Sequence, residues 1–256
     1  MPTVNGDPPL LGEDSATPAH PEDGRARTRA LVEALVASAV VTGLVTLVAL
    51  LPDRFVALAV GAVFLLATYV LAWRRDDAVV IRYGLTFGGV VLPGKLDPPA
   101  LLRASARAVG WTLLFAAVTF PAFYFGWRAY WGPRLRFSLD VGPVEIVNTV
   151  LGQLAVIALP EEAFYRGYLQ SRLADVFPKK VRILGAPIGV ELLLASAIFA
   201  LGHVATIRNP GRLAVFFPSL LFGWLRARTK GVGAGVLYHA LCNVFSEALG
   251  RGYGLY

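Results

Sequence analysis

The sequence predicts an all-α, polytopic membrane protein with about seven transmembrane helices. Composition is the first observation: of 256 residues, 56% are apolar and 16% charged, with a mean hydropathy of +0.60, whereas a soluble domain carries about 25% charge. Second, apolar runs close to the roughly 20 residues needed to cross a hydrocarbon core of about 30 Å recur along the chain. Third, the basic excess behind the net charge of +7 is distributed by loop, as topology signals are. It is not gathered on one recognition element, which excludes nucleic acid as a partner.

Residues 1–24 carry Pro2, Pro8, Pro9, Pro18 and Pro21 among scattered Gly, Asp and Glu, which predicts a disordered tail holding His20. A secretory signal would open with basic residues and an apolar core. Here the first apolar run follows Arg25, Arg27 and Arg29, so it is expected to stay in the mature protein. Spans are predicted at 31–51, 55–73, 109–127, 143–173, 184–205, 213–227 and 232–249. The fourth is longer than a bilayer needs, and Pro160 is expected to kink it or restart it. The sixth is short. Residues 74–108 hold several Gly and Pro before the amphipathic LLRASARAVG, which predicts a cytosolic connector lying partly on the membrane surface.

With the N-terminus in the cytosol, sixteen Lys and Arg fall in cytosolic segments and seven outside, and Arg166 lies within a span. The positive-inside rule favours that orientation. The outer loop with Arg128, Arg134 and Arg136 runs against it, so six or eight spans also fit. One cysteine, Cys242, excludes an internal disulfide framework and any CxxC metal or redox pattern.

Ionisable residues within spans cost a few kcal/mol each, so each is a functional candidate by default. Glu33 and Glu191 fall in the first turns of their spans, where a helix N-terminus stabilises a carboxylate, and Glu247 lies near the end of the last. All three read as structural. The rest form three patterns. In PEEAFYRGYL, Glu162 and Arg166 are four apart with the acid on the N-terminal side, leaving Glu161 as the odd charge. In AIFALGHV, Phe199 precedes His203 by one turn. In LYHALCNVF, His239 and Asn243 share one helix face. Each pattern alone can be a polar clasp between helices. Together they supply a base, two imidazoles and an amide donor, which is what amide hydrolysis needs.

These three patterns resemble the CAAX protease and bacteriocin-processing family of intramembrane endopeptidases, also called the Abi family, which carries EExxxR, FxxxH and HxxxN on successive helices. The resemblance covers roughly residues 140–250, with Tyr165 where the family often has Phe. It divides the chain into the tail (1–24), N-terminal helices with their connector (25–137) and a protease core (138–256), with catalytic residues on the last four helices. It implies that Glu161 activates water, that His203 positions that water or binds a metal, that His239 and Asn243 stabilise the oxyanion, and that Glu162 and Arg166 orient the site.

Two versions of the chemistry stay open. In one, His203, His239 and Glu161 hold zinc with a fourth position for water; in the other, Glu161 and His203 activate water without metal. The implied partners are membrane lipids and a protein or peptide substrate with a hydrophobic or C-terminal tail. Twenty Arg against four Lys suggest a GC-rich bacterial genome, hence an inner-membrane location and a sorting-tail protease of the myxosortase-like branch. HExxH zinc chemistry is excluded, because neither His203 nor His239 is followed by Glu. The rival readings are a proton-coupled transporter and a catalytically silent scaffold.

Overall fold

A computed structural model describes residues 21–92 and 96–255. Residues 1–20 of the expected tail, with His20, lie outside the described residues. The end of that tail differs from expectation, because α1 already runs from Pro21 to Val48. A helix's first turn needs no N–H from its opening residue, so Pro21 begins the helix rather than closing a coil. Glu33 therefore lies three turns inside α1 instead of at its start, and pairs with Arg29 at 3.0 Å.

α2 (Asp53–Trp73) follows across a short turn, α3 (Asp77–Arg82) is a single short helix, and α4 spans Pro98–Trp131. α5 spans Pro143–Val176 and α6 Val190–Ile207; α7 is Phe216–Thr229 and α8 Gly233–Gly252. Five of these, α1, α2, α4, α5 and α6, are long and apolar enough to cross a membrane. Their outer faces carry exposed residues such as Leu47, Val118 and Val144. The chain is an all-α, multi-pass membrane protein. The last two predicted spans are also helical, but α7 has 14 residues, about 21 Å at 1.5 Å per residue. α8 has 20 residues and carries His239, Asn243, Glu247 and Arg251.

The connector expected at 74–108 is not a separate surface element over its second half. Asp97 accepts a hydrogen bond from the Ala100 amide at 3.0 Å, and Pro98 and Pro99 open the first turn. An N-cap followed by prolines in the first turn starts a helix. No proline stands between Pro99 and the start of the expected span, and the helix carries on through Pro121 to Gly132 in the left-handed region, so the amphipathic stretch and the third span form one 34-residue helix.

The expected fifth span begins later than residue 184. Val181–Ile183 and Ala186–Ile188 form a small antiparallel hairpin, β1 and β2. Leu184 and Gly185, at φ 49° and 80°, provide the two positive-φ positions of a tight hairpin turn. Trp224 of α7 donates to the Ile183 carbonyl at 3.0 Å, which ties the hairpin to the bundle. In the first turn of α6, Glu191 is buried and pairs with Lys180.

α5 is the central element, with α1 and α2 on one side and α6, α7 and α8 on the other, while α4 packs on α8. Pro160 neither breaks α5 nor bends it into two helices. The helix widens to π-type turns at Gly152–Ala158 and Ala163–Leu169, on either side of Leu159–Glu162. The proline has no N–H for the Val156 carbonyl and its ring crowds that oxygen, and π turns relieve such a mismatch, often at functional sites. α2 closes on this widened stretch through Gly61, where an added Cβ would stand 2.5 Å from the Val156 oxygen. Small residues permit such close backbone approach between membrane helices.

Gly61→Ala is accordingly expected to lower unfolding stability in detergent by about 1–3 kcal/mol through overpacking. Gly110→Ala, with nothing within 4 Å of the new methyl, is expected to leave stability unchanged or slightly raised. Thermal or denaturant unfolding of the two purified variants checks both.

Candidate active site

The turn after Pro160 carries Glu161 and Glu162, and both side chains are buried. Glu162 and Arg166, one turn apart, have side chains 0% and 1% exposed, with Nε 3.3 Å from the carboxylate. Arg166 also donates to Ser219 of α7 at 3.0 Å. Its guanidinium lies over the Phe199 ring at 4.7 Å and near that of Phe222 at 5.5 Å. A buried cation needs such partners, because hydrogen bonds and aromatic faces replace the water it has lost.

Glu162 meets α8 as well, with Oε1 3.1 Å from His239 Nδ1. α8 can come this close because Gly235 offers no side chain; an added Cβ there would lie 3.0 Å from Glu162 Oε2. The glycine-rich stretch before the last helix thus does more than open it, since Gly233 and Gly235 already belong to α8. The His239 ring stacks on Phe222 at 4.6 Å and 14°. Its other nitrogen, Nε2, stands 4.0 Å from Glu161 Oε2.

The two histidines differ in what they can offer. A carboxylate only accepts, so Nδ1 of His239 is its donor to Glu162 and the ring is held with Nε2 toward Glu161. His203 Nδ1 lies 3.0 Å from the carbonyl of Phe199, one turn earlier on α6. A carbonyl also only accepts, so Nδ1 donates there and the Nε2 of neutral His203 is left as an acceptor. Phe199 fixes both rings from between them, 4.4 Å from His203 and edge-on to His239 at 6.1 Å. This gives the FxxxH spacing a physical content: the Phe supplies the carbonyl for one histidine and a wall for the other.

Glu161 and His203 line two cavities at once. One, of about 500 Å³, also contains His239, Asn243, Gln153 and Glu247. The other, of about 280 Å³, runs between α1 and α2 and is mostly apolar, with Thr42, Phe64 and Tyr165 in its wall. Glu161 Oε2 is buried without a hydrogen-bond partner among the described residues, as are Glu162 Oε2 and Arg166 Nε and Nη1. Of the two glutamates, only Glu161 lines these cavities, where an unpaired carboxylate oxygen marks a place where chemistry can occur.

All six residues singled out in the sequence, Glu161, Glu162, Arg166, His203, His239 and Asn243, meet in this region. α6, which carries His203, runs unbroken from Val190 to Ile207. Further participants went unnoticed in the sequence. Gln153 accepts from Asn243 Nδ2 at 2.9 Å and donates to Glu247 at 3.3 Å, and Glu247 pairs with Arg251 at 2.8 Å. Glu247, expected as a merely structural group at the helix end, is therefore part of the cavity wall. Gln153, eight residues before Glu161, is two helical turns away on α5, and that spacing was the available signal. Ser219 and Phe222 had none, because short apolar helices carry many such residues.

His203, His239 and Glu161 were also candidate metal ligands. Among the described residues no three His, Cys, Asp or Glu gather closely enough to hold a metal ion. Nδ1 of each histidine is committed, to Glu162 and to the Phe199 carbonyl, which leaves Nε2 of each open. As placed, the donor set does not form a three-ligand shell.

Residues 143–245 match the family model described as Type II CAAX prenyl endopeptidase Rce1-like. This part of the chain, about two fifths of its length, is similar to that family. No curated protein and no solved structure matches the chain. The Rce1-like segment opens at the first residue of α5 and ends two residues after Asn243, so it holds the three patterns whole. The description names an endopeptidase, in agreement with the resemblance read from those patterns.

Removing Arg166 from the Rce1-like segment leaves Glu162 buried with one partner fewer. Arg166→Ala is expected to cost about 3–5 kcal/mol of stability, as breaking a buried ion pair does. The uncharged double variant Glu162→Gln with Arg166→Met is expected to recover much of that loss. Unfolding curves of the three proteins in one detergent check the prediction.

Proposed function

We propose that this protein is an intramembrane endopeptidase that hydrolyses a peptide bond of a membrane-associated protein, with Glu161 as the general base. The observation that carries the reading is the orphaned, buried Glu161 oxygen on a wall shared by two cavities, with His203 lining both and His239 lining one. Glu161 takes a proton from water whose other hydrogen is held by His203 Nε2. The resulting hydroxide attacks the scissile carbonyl, and the proton on Glu161 passes to the leaving amine. His239 Nε2–H and the free Asn243 N–H stabilise the oxyanion. Gln153 holds the amide in place, Glu162 holds His239, and Arg166 holds Glu162.

His239 lies between the two carboxylates, 3.1 Å from Glu162 and 4.0 Å from Glu161; the oxyanion role requires both of its ring nitrogens to donate. In this version Glu161 and His203 activate water without a metal.

The substrate in this reading is a protein or peptide whose hydrophobic or C-terminal tail enters through the apolar cavity between α1 and α2. The family description names CAAX prenyl tails; the arginine-rich composition favours a bacterial sorting tail, as in the myxosortase-like branch. We place the protein in a bacterial inner membrane with its N-terminus in the cytosol, on the loop distribution of Lys and Arg.

Glu161→Gln and His203→Ala are expected to make uncleaved precursors accumulate when C-termini of the membrane proteome are compared with wild type. Folded, abundant variants without precursor accumulation would sink the protease reading and favour a carrier or scaffold. With a substrate in hand, Glu161→Gln is expected to lower kcat about 10²–10⁴-fold and Asn243→Ala about 10²–10³-fold. Activity is expected to survive chelation in protein shown free of metal by elemental analysis. Loss that zinc restores would instead make Glu161 and the histidines ligands.

A further inference from the structure

Away from the polar cluster, a groove of about 690 Å³ lies between α1 and α2 on the outside of the bundle. Val36, Val40 and Leu44 line it from α1, and Leu66 and Val70 from α2. All five are exposed, so nothing in the described chain covers this apolar strip. At one end the lining changes to Arg75, Arg82 and Arg172, with the rings of Tyr83 and Tyr168 beside them. That end is where α1 begins, α2 ends and α5 ends, so the guanidiniums share one edge of the bundle.

The balance of charge at this mouth is positive. Arg172 pairs with Glu33 at 2.5 Å and with Asp175 at 3.3 Å, and Arg82 pairs with Asp175 at 2.7 Å. Arg29 takes the other side of Glu33. Arg75 is exposed and has no carboxylate partner among the described residues. Four guanidiniums thus face two carboxylates at the head of an uncovered hydrocarbon-lined strip. A ligand complementary to both features carries an anionic phosphate at one end and an acyl chain at the other, and basic pockets between membrane helices recognise lipid headgroups in this way.

We propose that this groove binds one anionic diacyl phospholipid, with its phosphate at Arg75, Arg82 and Arg172 and an acyl chain laid along α1 and α2. The site is independent of the hydrolytic reading, since it uses none of the residues of the polar cluster. Arg82 and Arg172 are tied into ion pairs and hold the mouth together. Arg75 is the cation free to engage the phosphate fully.

Native mass spectrometry of the full chain, incubated in detergent with equimolar dioleoylphosphatidylglycerol and dioleoylphosphatidylcholine, tests the site. One phosphatidylglycerol is expected to be retained preferentially. Arg75→Gln is expected to reduce that preference about fivefold, the contribution of one basic residue near an anionic lipid surface. Val40→Trp, which fills the strip, is expected to reduce retention of phosphatidylglycerol. Arg103→Gln, an exposed arginine outside the groove, is expected to leave it unchanged. Equal retention of the two lipids, or a preference that Arg75→Gln does not alter, overturns the proposal. Displacement of the lipid by glycerol 3-phosphate at equal concentration overturns it too, since the acyl chain would then contribute nothing. If Val40→Trp does not fold, Arg75→Gln decides alone, because an exposed arginine without an ion-pair partner is not needed for folding.

Discussion

The structure depends on keeping Glu162 charged in a place without water. A carboxylate with no exposed surface is unfavourable by several kcal/mol unless ion pairs and hydrogen bonds replace its hydration, and here two different helices supply them. Arg166 comes from one turn further along α5, and His239 comes from α8. Arg166 in turn needs Ser219 and the faces of Phe199 and Phe222, which brings in α7 and α6. One buried charge thereby fixes the relative position of four helices. The same contacts orient His239 toward Glu161.

The geometry of α5 follows from a second constraint. A proline in mid-helix withholds one hydrogen bond and crowds the preceding turn, and the chain answers with widened turns on both sides rather than a break. Widening alters which side chains share a face, so Glu161 and Glu162 are set at an angle that regular α-helical spacing does not give. Gly61 then lets α2 close against the Val156 carbonyl, one turn before the proline. Proline, wide turns and glycine act as one device, and it stands next to the carboxylates.

Much of this could be read from residues alone. Apolar runs found every long helix, and the three polar patterns found the residues that meet around Glu161. The errors have physical causes. The amphipathic stretch before the third span looked like a surface element because its charges are exposed, yet exposure does not end a helix, and no proline stands between that stretch and the span. The hairpin at 181–188 is too short for alternation to be visible, and Leu184 takes a positive φ that its residue type does not advertise. Gln153 and Ser219 were missed because neutral polar residues in membrane helices are common and become informative only through their partners.

By itself, the sequence determined that the chain crosses a membrane several times and that few charges lie within the spans, since transfer energies act on each segment separately. It also determined which residue types stand one turn apart on each helix, because that spacing is local. Tertiary structure alone decided which nitrogen of each histidine is committed, and that Glu162 is the carboxylate beside both Arg166 and His239 while Glu161 lines the cavities. Likewise, only the packing of α1 against α2 produced an uncovered strip that ends in arginines. These are matters of distance between segments far apart in the chain, and electrostatic and hydrogen-bonding energies depend on that distance rather than on order in the sequence.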